Sequence, residues 1–237
     1  MDRGNLFAGT SGFAYQEWKG TFYPEDLAAD RMLEHYAGTL PSVEINYTFR
    51  RLPAVVTLEK WRGQVPDDFR ITLKAHQRIT HFKRLADCDE DVREFLDRAR
   101  VLGERLGVVL FQLPPNFVFD RERFEQFLGA LPPVAKYAFE FRNPSWNAAE
   151  VSELLEKHGV ARCGAETEKE SLETVPITAD HCYLRLRKEE YTTDEIQSWA
   201  KRVDEALDSG RDVYCYFKHE GGGLGPHWAK SLLDSVR

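Results

Sequence analysis

"GVVLFQLPPNFVFDRERFEQFLGALPPVAKYAFEFR", residues Gly107 to Arg142, reads as a strand, a helix and a second strand. The runs at 107–114 and 137–142 are short, apolar and rich in β-branched or aromatic residues, and between them Asp120 caps a stretch of helical period over 120–131. The same succession continues in both directions. Further strand candidates lie at 6–12, 42–48, 70–76, 160–166, 181–187 and 212–219, with helix candidates at 26–40, 89–106, 148–159 and 192–210. The sixth connection, "TEKESLETVPITA", is too short or irregular for a full helix. Eight strands alternating with helices over 237 residues predict a single α/β domain, a (β/α)8 TIM-type barrel spanning 1–237, in preference to an open doubly wound sheet.

In a barrel, strand residues alternate between the helix layer and the interior, so facing can be read from parity. Glu140 and Arg142 oppose Phe139 and Phe141; Glu44, Asn46 and Thr48 oppose Val43, Ile45 and Tyr47; Thr72, Lys74 and His76 oppose Ile71, Leu73 and Ala75. Tyr183, Arg185 and Arg187 oppose Cys182, Leu184 and Leu186, while Tyr214, Tyr216 and Lys218 oppose Val213, Cys215 and Phe217. The same rule turns Ser11, Gln112 and Glu166 inward and leaves Cys163, Cys182 and Cys215 packing beneath the helices. An unpartnered charge in low dielectric is costly, so charges of inward parity must pair or serve a site. They gather in the carboxyl-terminal halves of their strands, the end at which barrel enzymes carry their chemistry. The plain alternative is a structural ion-pair network plugging the barrel.

Composition narrows the ligand. A net charge of −7, with both signs mixed along the chain, argues against a generic electrostatic grip on nucleic acid or anionic membrane. No run is long enough for a membrane span, and the amino terminus lacks a signal-peptide core, so a soluble, cytoplasmic protein is expected. Four widely spaced cysteines without a C-x-x-C pair indicate neither a zinc ribbon nor a thioredoxin-like motif. Oligomeric state does not follow from the sequence.

Against this acidic background the inward set is neutral to slightly basic, which favours a small anionic ligand, phosphorylated or carboxylated. The expected binding residues are Asn46, His76, Arg78, Gln112, Arg142, Trp146, Arg185 and Lys218. Gly222 and Gly223 join them, from the glycine run Gly221 to Gly223 after the last strand, where barrels often hold phosphate. The expected catalytic group is Glu140 as general acid or base, in a hydrolase or lyase, with Glu44 and with Lys74 as a salt-bridge partner, electrophile or Schiff-base nucleophile. No cofactor is expected. A divalent metal on His76, His81 and His219 with Glu140 or Glu166 is the weaker alternative, since no H-x-H or H-E-x-x-H spacing occurs and the neighbouring cations oppose it. Two other classes stay open. One is a nucleic-acid binder or nuclease stacking bases on Tyr15, Trp18, Tyr23, Trp146 and Trp228; the other is a ligand-binding protein without catalysis.

"GTSGFAYQEWKGTFYP", "VEINYTFRRLP", "LKAHQRITH", "LGVVLFQLPP", "FEFRNPSW" and "YLRLR" occur in this order, and together they resemble the YecE-like family, domain of unknown function seventy-two. The resemblance runs from about Gly9 to the last strand. It implies a TIM-type barrel and brings no reaction with it. The chain departs from the family pattern at Arg50, where Tyr is usual, at Asn143, where His follows the arginine, and through the last loop, "YFKHEGGGLGPHWA".

Overall fold

The computed structural model of the chain describes residues 2–218 and 222–236. Eight parallel strands close into a barrel in sequence order: β1 (Leu6–Ser11), β2 (Ser42–Ile45), β3 (Arg70–Lys74), β4 (Leu106–Gln112), β5 (Lys136–Glu140), β6 (Ala161–Glu166), β7 (His181–Leu186) and β8 (Asp212–Phe217). Outside them lie α1 (Met32–Ala37), α2 (Tyr47–Arg50), α3 (Val55–Gln64), α4 (Asp89–Ala99), α5 (Arg121–Ala130), α6 (Ala149–Lys157), α7 (Thr193–Asp208) and α8 (Leu224–Ser235). The expected barrel is therefore the fold. No helix joins β6 to β7, as the irregular sixth connection implied.

The strands are shorter than the apolar runs suggest, because the chain turns as soon as it clears the barrel rim. At Asn46 the chain already turns into α2, whose Thr48 hydroxyl donates to the Lys74 carbonyl at 2.6 Å and ties the turn after β2 to the top of β3. The α3 helix carries little periodic signal because Leu58 is its one buried residue among the ten.

Two cores result. Between strands and helices lies an extensive apolar layer that includes Ile71, Leu73, Phe111, Phe139, Leu184, Cys182 and Cys215. Inside the barrel, Phe7, Val108, Leu110, Ala138, Ala161, Cys163, Tyr183, Tyr214 and Tyr216 form a second cluster. The rings of Phe7 and Tyr214 stack at 4.8 Å toward its lower end, and the Tyr216 hydroxyl above them meets Ser42 Oγ at 2.6 Å and Thr72 Oγ1 at 2.8 Å. Above the lower rim, where Arg70 lies over Phe7 at 5.3 Å and Lys136 pairs with Asp212 at 3.4 Å, the interior grades from apolar through hydroxyl-lined to charged.

The parity reading fails in β6. Ala161, Cys163 and Ala165 line the interior, so Cys163 is not beneath the helices, and Glu166 faces the helix layer, where it accepts from Trp199 Nε1 on α7 at 3.0 Å. A buried carboxylate there is tolerated because the indole N–H and, at 3.6 Å, Lys188 supply partners that no local sequence pattern reveals.

Candidate functional site

Glu44, Lys74, Gln112, Glu140 and Arg185 all point into the top of the barrel, each from the carboxyl-terminal end of its strand, and all are buried. Arg185 is the hub. Its guanidinium donates to Glu44 Oε1 at 2.8 Å and to Glu140 Oε2 at 2.5 Å, linking β2 and β5 through β7. Glu44 also accepts from Ser11 Oγ at 2.7 Å, from Tyr183 Oη at 2.5 Å and from Asn46 Nδ2 at 3.2 Å. Glu140 Oε1 accepts from Arg142 Nε at 3.0 Å and Arg187 Nη2 at 2.8 Å.

Both carboxylates are therefore saturated with donors. Burial alone would raise the Glu140 pKa, but Arg185, Arg187 and Arg142 outweigh it and hold the carboxyl at about 2. Glu44 is likewise lowered, burial being overcome by Arg185, Tyr183, Ser11 and Lys74. Such groups hold arginines in place and make poor proton acceptors near neutrality.

Lys74 is different. Its amine donates to Gln112 Oε1 at 2.8 Å and lies over the Phe49 ring at 4.2 Å, and among the described residues it has no carboxylate within 4.0 Å. The expected salt bridge to Glu44 or Glu140 is replaced by this neutral contact, because the arginines have taken the carboxylate oxygens. Burial first, then Arg185, push the Lys74 pKa down to about 8 despite the opposing pull of Glu44 and Glu140. Gln112 Oε1 also accepts from Arg142 Nη2 at 3.1 Å and Arg185 Nη1 at 3.3 Å, so one amide oxygen gathers three cations.

Several groups here remain unfulfilled. Arg185 Nε, Arg187 Nε and Asn46 Oδ1 are buried without a hydrogen-bond partner among the described residues. Above them, Arg142 is 38% exposed and reaches the open rim. The wall beside Lys74 is Phe49 packed at 4.8 Å against His81, whose pKa is lowered by burial and then by Lys74 and Arg142. His81 belongs to a π-helical turn, Arg78–Phe82, followed by left-handed Arg84, Leu85 and Asp87, and Lys83 and Asp91 pin that loop at 2.7 Å. Non-glycine residues in this backbone region are strained and persist only where surroundings hold them.

Other expected residues lie elsewhere. Trp146 is fully buried outside the barrel, stacked on Phe141 at 4.7 Å with its Nε1 on the Phe117 carbonyl at 2.7 Å, so it does not face the mouth. Arg78 is 60% exposed and pairs with Asp91 at 2.9 Å, on the flank of the loop. His76 is half-buried, its Nδ1 accepting from the Arg78 amide at 3.3 Å. Lys218 lies beyond the end of β8 and is exposed. Gly222 and Gly223 are left-handed before α8, and a Cβ on Gly223 would meet Thr21 Oγ1 at 2.5 Å, so the turn is packed against the loop after β1. Gly221 and His219 lie outside the described residues. Trp18 and Tyr23 are buried and pack that loop down, presenting no stacking platform. Among the described residues no group of three His, Cys, Asp or Glu could hold a metal ion. No helix among them is long and apolar enough to cross a membrane.

Arg187 and Tyr183 join the cluster without being among the expected site residues, although each shares its parity with Arg185. Phe49 carries no sequence signal, since it sits on α2 outside any strand.

The model of the family described as "Protein of unknown function DUF72" matches residues 7–237. The Escherichia coli (strain K12) protein YecE is 35% identical over 133 residues, which is 56% of this chain and 49% of YecE, so that alignment spans about half the relative's length. YunF of Bacillus subtilis (strain 168) is 22% identical, over 97% of this chain and 94% of YunF. The crystal structure of a DUF72 family protein from Thermotoga maritima superposes with a TM-score of 0.83 at 25% identity, covering 97% of this chain and 98% of that one. A DUF72 family protein from Enterococcus faecalis has the same fold, with a TM-score of 0.80 at 18% identity over 100% of this chain and 95% of that one.

Proposed function

This chain belongs to the DUF72 family, an eight-stranded barrel, and from that premise we propose that its mouth binds a small anionic ligand, phosphorylated or carboxylated, for an enzymatic reaction. The observation that carries this reading is the charge balance. Among the described residues, Lys74, Arg142, Arg185 and Arg187 face Glu44 and Glu140, four basic side chains against two carboxylates, so positive charge is in surplus in the cluster. A plug serving stability alone would be expected to neutralise itself, because excess buried charge is costly.

The roles follow from this balance. Arg142 and Arg187 bind the anion at the rim. Glu44 and Glu140 are positioning residues that fix the guanidinium planes, and Lys74 replaces Glu140 as the reactive group. Removing one charge-assisted hydrogen bond to the anion costs about 1.5–3 kcal/mol, roughly tenfold or more in affinity.

Thermal shift and calorimetry with sulfate and phosphate test the reading. Wild type gains stability with either anion, whereas Arg142→Ala and Arg187→Ala, checked for folding by circular dichroism, bind them at least about tenfold more weakly. Equal responses from all three proteins would dismiss the anion site.

A further inference from the structure

We infer that Lys74 is a nucleophilic amine that forms an imine with the carbonyl of a 2-oxo acid whose carboxylate is held by Arg142 and Arg187. The inference rests on the anion-site reading and adds to it the substrate class and the bond formed.

Four observations converge on Lys74. It ends β3 inside the rim with its amine buried. Its hydrogen-bond partner among the described residues is a neutral amide oxygen, Gln112 Oε1 at 2.8 Å. The Phe49 ring at 4.2 Å covers one side of the amine and excludes water there. Arg142 donates to the same Gln112 oxygen at 3.1 Å, so an anion on that guanidinium lies within one small molecule's span of the amine.

A lysine desolvated among other cations loses its proton more readily and becomes a nucleophile near neutrality. The groups acting on Lys74 are Arg185 and Arg142, which favour the neutral amine, and Glu44 and Glu140, which oppose them; burial decides the balance and brings the pKa to about 8.

The step balances. The Nζ lone pair attacks the carbonyl carbon, forming C–N while the C=O π pair moves to oxygen. Both hydrogens of the neutral amine pass to that oxygen, which leaves as water, and the C=N bond takes its place. Protonated from solvent, the imine withdraws electrons from the neighbouring carbon, which is the chemistry of lyases that break a bond there.

The experiment incubates the full chain with glyoxylate or pyruvate and sodium cyanoborohydride, then maps the reduced adduct by peptide mass spectrometry. The expected result is an adduct concentrated on the Lys74 peptide over exposed lysines such as Lys60 and Lys201, suppressed by sulfate, reduced roughly tenfold in Arg142→Ala and absent from that peptide in Lys74→Met. Adducts spread over the exposed lysines without preference, with either acid, overturn the imine. Sulfate stabilisation of wild type, measured separately, keeps the two readings apart. Stabilisation without a Lys74 adduct leaves the anion site standing and removes the imine; a Lys74 adduct without stabilisation keeps the nucleophile and removes the anion site.

Discussion

Arg185 is the residue on which the interior charges depend, since a buried guanidinium bonded to two carboxylates makes both of them tolerable. Glu140 converts this dependence into a pH prediction. Its carboxyl titrates at about 2 in the folded protein against an ordinary 4.5, so the unfolded chain binds more protons between those values. The stabilisation is fully present above about pH 4.5 and is lost as pH falls toward about 2, with a magnitude near 3 kcal/mol. Urea unfolding of wild type and Glu140→Gln between about pH 6 and pH 3 should show wild type losing its advantage over the variant on acidification. Parallel curves would mean that Glu140 is not held by its arginines. Much of this cluster is legible in the sequence, because Glu44, Lys74, Gln112, Glu140 and Arg185 break the apolar rule for a barrel interior at a single parity. Their partners are less so. That Lys74 meets an amide while three arginines claim Glu140 depends on reach across the barrel, which no single strand encodes.

At the scale of elements, β6 and the loop after β5 show why some positions mislead. The inward face of β6 is Ala161, Cys163 and Ala165, small residues that leave room for the larger side chains opposite and carry no polar mark. Its one carboxylate, Glu166, reaches an indole on α7, 33 residues away. Trp146 sits in a short 3-10 helix, Pro144–Asn147, which begins where Asn143 caps the Ser145 amide, and this turn drives the indole into Phe117, Phe119, Phe124 and Phe141 and away from the mouth. Its role is therefore to clamp the loops after β4 and β5 onto α5. Trp146→Phe removes the bond to the Phe117 carbonyl and some ring area, and should cost about 1–3 kcal/mol in urea unfolding while leaving the sulfate response intact. A variant of unchanged stability that no longer responds to sulfate would return Trp146 to the ligand site.

For the whole molecule, the alternation of eight strands with helices determines the barrel, and the barrel sets a contrast between a mouth whose described residues carry a surplus of basic side chains and a chain of net charge −7. The two fields act at different ranges. At physiological ionic strength charges beyond roughly 8 Å are screened, so a small anion that enters the mouth meets the local arginines, while a long polyanion must also lie across acidic surface. Size selectivity among anions follows from this. A labelled single-stranded oligonucleotide should show no saturable binding at about 0.15 M salt, where sulfate still protects the fold. Lowering the salt should strengthen sulfate binding only modestly, because the receiving groups are partly buried and little screened. Tight oligonucleotide binding that collapses steeply with rising salt would instead give the mouth to a nucleic-acid backbone, since such a slope counts phosphates neutralised along a strand. With Arg142 at the rim and the more deeply set Arg187 sharing Glu140 Oε1 with it, the mouth offers cations for one anionic group, whereas a strand of many phosphates needs a continuous track of them.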